Sequence, residues 1–168
     1  MKKLIKYSYL YTMIFLTILI AGCSFEKKTN ESHQKGESIF PKGEKVTSNN
    51  FSGTVWLQMM GASDSTLYAG FGHVTFEPGA RTNWHSHPGG QVLFITLGQG
   101  FYQAEGQPAR LVRKGEVVEI PRNVVHWHGA GPDSLFAHIA VSLNTNDGSV
   151  VWLGPVTEKE YNTGIENE

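Results

Sequence analysis

From Gly53 onward the chain runs in short stretches of alternating apolar and polar residues, broken at intervals by glycine, proline and asparagine. A period of two with turn formers between the runs predicts an all-β sandwich or barrel. Strands are predicted over residues 54–60, 66–76, 91–103, 109–111, 116–120, 126–130, 135–143 and 150–152. The turns are marked by Glu77-Pro78-Gly79, Pro88-Gly89-Gly90, Glu105-Gly106-Gln107-Pro108, Lys114-Gly115 and Gly131-Pro132-Asp133, in which glycine supplies left-handed dihedrals and proline presets φ. Helical periodicity is confined to residues 157–161, and no repeat of solenoid length is present.

The N-terminal stretch has a different character. Lys2, Lys3 and Lys6 precede an apolar run over residues 7–20, shorter than the roughly 20 residues that span a bilayer and typical of an export leader. It ends Ile20-Ala21-Gly22-Cys23, and Cys23 is the single cysteine. This tetrapeptide resembles the lipobox of bacterial lipoproteins. The resemblance implies cleavage before Cys23, acylation of its thiol, and anchoring to the outer face of a bacterial membrane by the acyl chains. Loss of three lysines makes the mature chain more acidic than the −1 of the whole sequence, which argues against a nucleic-acid partner. One cysteine allows no disulfide within a monomer. Residues 24–50 are polar and without apolar period, a flexible tether whose last part joins the barrel edge. The expected organisation is a leader over 1–22, a lipidated cysteine and tether over 23–50, one domain over 51–161, and a tail over 162–168. Apolar residues at 40%, charged residues at 17% and 19 glycines suit one compact, turn-rich core.

The chemistry gathers on histidines. His85 and His87 stand two apart, so in a strand they share a face, and Gln91 follows after a Pro-Gly-Gly turn. His126 and His128 form a second such pair, and His138 lies on the next strand, so five of the seven histidines fall in this β region. A lone pair of this kind is ordinarily an exposed or hydrogen-bonded face. Two pairs on neighbouring strands point instead to a transition metal, for which imidazole is the commonest protein ligand. His128 shares the face of His126, as an orienter of the ligands, an auxiliary base or filler. Trp84 and Trp127 alternate with the ligands and point away, into packing or a subunit interface. Met59, Met60, Phe94 and Phe136 read as barrel or interface residues, and His33 and His73 as bland. Leu93 and Ile95 share the parity of Gln91 and line an apolar cavity suited to a small organic molecule.

The segment 79–98, with His85-Ser86-His87 and Gln91, resembles the first cupin motif, with glutamine where most metal-binding cupins have glutamate. The segment 115–126, with Pro121, Asn123 and His126, resembles the second, with Asn123 in place of its usual second glycine. The resemblance implies an all-β double-stranded β-helix barrel, jelly-roll-like, with a metal at its open end. Within the cupins, residues 75–82, 84–88, 126–130, 138–140 and the 151–161 tail resemble the small manganese-binding monocupins that include bacterial cupin-type hydroxynitrile lyases. That likeness implies His85, His87, Gln91 and His126 as ligands of one divalent ion, Mn first with Fe, Ni, Co or Zn as alternatives. It also implies His138 as base, with His128 beside it, and a homodimer. Pocket positions are Gly72, Val74, Leu93, Ile95 and Ser142, two of which depart from the group, which has alanine at Gly72 and glutamine at Ser142.

Three neutral imidazoles and an amide leave a divalent site at net +2, where glutamate would make it +1. At about 2 Å and an effective dielectric of about 20, losing that carboxylate costs the trivalent ion roughly 8 kcal/mol relative to the divalent one, an upper bound. This favours Lewis-acid work over redox cycling. The expected function is a metal-dependent lyase on a small hydroxylated or carbonyl substrate, resembling the hydroxynitrile lyases. The alternatives are a metal-dependent dioxygenase, separable by oxygen uptake, and a non-catalytic binding or sensor lipoprotein.

Overall fold

In the computed structural model, residues 38–61 and 67–166 are described. The leader, Cys23, the tether as far as residue 37 and His33 lie outside the described residues. The strands are β1 (Glu44–Lys45), β2 (Phe51–Ser52), β3 (Val55–Met59), β4 (Gly70–Phe76), β5 (Arg81–Thr82), β6 (His85–Ser86), β7 (Gln91–Ala104), β8 (Arg110–Arg113), β9 (Val117–Ile120), β10 (His126–Ala130), β11 (Phe136–Ser142) and β12 (Val151–Trp152), followed by helix α1 (Glu158–Glu166). Of the five two-residue strands, β1, β2 and β5 lie outside the predicted runs, because two residues carry no legible period; β6 was marked only by its His85-x-His87 pair, and β12 lies within 150–152. Residues 67–69 of the expected 66–76 strand precede Gly70 and lie outside β4, and β8 sits later than predicted, on Arg110–Arg113. The segment before residue 51, expected as tether, contributes β1 against β3 and packs Val46 on the interior core. Helix α1 continues past residue 161 as far as Glu166. It starts in a reciprocal cap: the Thr157 N–H and hydroxyl donate to the Glu160 carboxylate, and the Glu160 N–H donates to the Thr157 hydroxyl.

All pairings are antiparallel and join into one curled, twelve-stranded sheet. One half runs β1-β3-β4-β11-β7-β9; the other carries β2, β5, β10 and β8, with β6 between β10 and β12. Strand β7 belongs to both, pairing with β11 along its first part and with β10 along its last. The join is a β-bulge. Ile95 lies opposite His138 and Leu97 opposite Ala137, so Thr96 has no partner on β11. One extra residue exchanges inside for outside. Before it Gln91, Leu93 and Ile95 face inward; after it Tyr102 and Ala104 do, opposite His128 and His126. Gly98 follows at φ 64°, where a Cβ would lie 1.8 Å from the Leu135 carbonyl oxygen; only glycine can take this corner.

The curl makes two cores. Val55, Val74, Phe76, Leu93, Ile95, Val112, Val118, Ile120 and Phe136 fill the interior. On the outer face, Phe101, Trp127, Val156 and Tyr161 pack beneath α1. Trp127 is fully buried there and donates its indole N–H to Gln103 at 2.7 Å. Phe136 belongs to the interior core, while Met59 and Phe94 are exposed.

Arg81 fastens the C-terminal segment to this frame. Its guanidinium donates twice to the Val156 carbonyl, once to the Gly79 carbonyl, and to Glu158 at 2.7 Å, while lying 4.5 Å from the Tyr161 ring centre. Replacing it strands buried carbonyls without donors, so Arg81→Met is expected to lower unfolding free energy by about 2 to 3 kcal/mol in urea titration. An unchanged midpoint would mean that α1 is held by its apolar face alone.

Candidate metal centre

The histidines converge because β6 and β10 pair directly, setting His126 opposite His85, and because alternation along β10 turns His128 inward with His126 and Trp127 outward. The His85 ring centre lies 4.1 Å from that of His126, 5.2 Å from His128 and 5.3 Å from His87. One nitrogen from each of His85, His126 and His128 lies within 4.8 Å of the other two. His87 stands at the edge of the group, its ring centre 5.9 Å from that of His126. The residues implied as ligands therefore come together, and His128 joins them more closely than the sequence suggested.

These rings are neutral. Burial holds His85 and His128 well below the usual imidazole range, and neighbouring histidines push both further. Burial brings His126 down to about 4, against the opposing effect of its hydrogen bond to the Val124 carbonyl, and lowers His87 as well. His138 falls to about 3, through burial first and the charge of His73 second. A neutral ring has a single proton, and a carbonyl can only accept. His85 Nδ1 donates to the Asn83 carbonyl at 3.0 Å, His87 Nδ1 to that of Ser149 at 2.7 Å, and His126 Nδ1 to that of Val124 at 2.9 Å. Each proton is thereby fixed on Nδ1, and each Nε2 presents a bare lone pair.

A divalent ion fits this donor set. His126 Nε2 lies 3.3 Å from Gln91 Oε1, two lone-pair-bearing atoms with no proton between them. A turned amide or a cation would relieve the contact, and only a cation also engages the bare nitrogen of His85. His128 Nε2 is buried without a protein partner. Among the described residues no carboxylate joins the group, so a bound divalent ion keeps its full charge.

His138 lies behind His128. Its Nε2 is 3.2 Å from His128 Nδ1, and its ring packs against Phe76 and Phe136. Val74, Leu93 and Ile95 form the apolar interior. Gly72 opens space beside Leu57, whose Cδ1 a Cβ would meet at 3.1 Å. Ser142 stands opposite Gln91, its hydroxyl 3.5 Å from His87 Nδ1. Asn123 takes φ 61°, supplying the left-handed residue for which the second motif uses glycine. Sequence reasoning missed Tyr102, whose ring centre lies 5.8 Å from that of His126, because the bulge reverses its side. It also missed the three carbonyls, which have no side-chain signature. His73, read as bland, is fully buried on the other face, with Pro41, Ser38 and Thr96 around its nitrogens. Trp84 lines an outer groove of about 670 Å³ between α1 and the β7–β8 turn, which no histidine reaches.

With the β-helical curl and its buried histidines in place, comparison assigns the class. Residues 72–136 match the Cupin domain family. A cupin-like protein of Thermotoga maritima is 51% identical, covering 79% of this chain and 100% of that one at a TM-score of 0.75. The chain belongs to the cupin family. It is also 42% identical over 112 residues to an (R)-mandelonitrile lyase of Granulicella tundricola, covering 66% of this chain and 85% of the relative. A cupin-2 domain protein of Rhodospirillum rubrum shares the fold at a TM-score of 0.57 and 18% identity, over 74% of this chain and 82% of its own.

The depressed histidines set a pH dependence for the metal-free protein. Unfolded histidines take up protons near 6.5, whereas His126 in the fold resists until about 4. The unfolded state thus binds more protons between these values, and stability falls as pH drops through that window. Thermal unfolding of chelator-treated protein should show its melting temperature level above pH 6.5 and declining steadily towards pH 4. A flat profile would mean that the rings are protonated in the fold.

Proposed function

We propose that this cupin is a metal-dependent lyase that cleaves a small cyanohydrin, mandelonitrile or a close relative, into carbonyl compound and cyanide. The observation that carries the reading is a buried, carboxylate-free set of neutral imidazoles backed by the His128–His138 pair. The identity to an (R)-mandelonitrile lyase supports it. His85, His87, Gln91 and His126 would hold the ion, with His128 Nε2 close by; mixed nitrogen and oxygen donors suit Mn²⁺. When bound, the ion supplies Lewis acidity that favours loss of the substrate's hydroxyl proton.

The protein's own groups do the rest. His128 Nε2 is placed to take the hydroxyl proton while its Nδ1 proton is shared with His138 Nε2, 3.2 Å away. The pair can accept a proton on one side and delocalise it on the other, which offsets the cost of charging a buried ring. Val74, Leu93 and Ile95 surround an apolar substituent, and Gly72 widens the same wall. Full chain purified in detergent and loaded with Mn²⁺ should release benzaldehyde from mandelonitrile at equal rates with and without air. Chelation should abolish the activity, and His138→Ala should lower kcat by about 100-fold or more. Turnover that needs oxygen would replace this reading with a dioxygenase, and tight binding without turnover with a sensor.

We further propose that the chain is a lipoprotein of the cell envelope, a reading supported by Ala21-Gly22-Cys23 after an apolar run, and that it works as a homodimer. Exposed Phe94 and Val117, paired on the outer face of the sheet, supply apolar area for a second copy. Wild-type chain expressed in a bacterium should incorporate labelled palmitate and fractionate with membranes, and Cys23→Ser should lose the label. An unlabelled wild type would sink the anchor.

A further inference from the structure

One group facing the histidines has no part in holding an ion or passing a proton. Tyr102 follows the Thr96 bulge on β7, lies opposite His128 in register, and so points inward with it. Its ring packs on the interior core and is tilted 42° to the ring of His126 at 5.8 Å. It is half-buried, and its hydroxyl makes no hydrogen bond to the protein among the described residues. Arg110, its register partner on β8, is ion-paired with Glu116 at 3.7 Å. A phenol is protonated near neutral pH, so the hydroxyl is a hydrogen-bond donor.

Resting on the lyase reading above, we infer that Tyr102 contacts the substrate and donates a hydrogen bond to the nitrile as cyanide departs. In the cleavage, the hydroxyl proton passes to His128 and the freed O–H electron pair becomes the second carbon–oxygen bond. The carbon–carbon pair leaves with cyanide, which then takes the proton back as hydrogen cyanide. Negative charge grows at two places, the oxygen and the departing nitrile. The oxygen is served by the ion, the proton by His128, and the walls around Val74, Leu93 and Ile95 are apolar. Tyr102 is the protonated donor left for the nitrile. A donor aimed at charge that develops only in the transition state acts on kcat more than on KM.

The test compares metal-loaded full chain with its Tyr102→Phe variant, which keeps the ring against His126 and removes only the hydroxyl. Thiocyanate, a linear unreactive anion, is titrated by calorimetry, and mandelonitrile kinetics are measured alongside. Wild type is expected to bind thiocyanate at least roughly tenfold tighter, a loss typical of a hydrogen bond to a charged acceptor. Its titration should also give a tyrosine ultraviolet difference signal that the variant lacks. The variant should lose a similar factor in kcat with KM little changed and metal content equal. Equal thiocyanate affinity in the two proteins, weak or strong, overturns the role of Tyr102. Tyr102-dependent binding by a wild type that leaves mandelonitrile intact instead overturns the lyase reading and leaves Tyr102 as an anion contact.

Discussion

A buried imidazole must have its proton placed, and here backbone carbonyls place it. Asn83, Ser149 and Val124 each accept from the Nδ1 of one histidine, so all three rings are held in one tautomer with Nε2 uncovered. Without those bonds the rings could turn the wrong nitrogen inward, and the cluster would be an ordinary buried polar patch. Two of these carbonyls lie two residues before the histidine they hold, so strand geometry supplies them locally. The third, from Ser149, comes from across the chain and ties the position of His87 to the segment leading into β12.

That arrangement needs a sheet that curls until β6, β7 and β10 lie side by side. The Thr96 bulge and the Gly98 corner allow β7 to serve both halves of the sheet. They also explain why one strand can offer Gln91 at one end and Tyr102 near the other, both to the interior. The outer core keeps the curl in place from behind: Trp127 separates His126 from His128 along β10, and its burial under α1 locks the strand that carries both. Arg81, two residues before Asn83, joins the same strand region to the C-terminal segment, so packing of the helix and positioning of the site are mechanically linked.

The absence of a carboxylate from the cluster shapes its chemistry. Among the described residues, the charges that act on His85 and His128 are those of other histidines, each of which opposes protonation. The site is therefore built to remain neutral and electron-donating. It suits an ion that polarises oxygen, and in the proposed reaction it leaves proton transfer to the His128–His138 pair at its inner edge.

Much of this was legible in the residues themselves. Alternation and turn chemistry determined an all-β sandwich or barrel, the likeness to cupin motifs chose the barrel, and His-x-His pairs with Gln91 at matching spacing marked the strands that carry the site, because parity within a strand is local. The order of the histidines in space was not legible. Tyr102 lies an odd number of residues from Gln91 and would face outward in an unbroken strand. A bulge, defined only by pairing with β11, turned it inward. Likewise, that His128 stands between His138 and the other rings depends on how β10 and β11 approach across the interior. Periodicity reports which side of its own strand a residue occupies; only the closed sheet decides what it meets there.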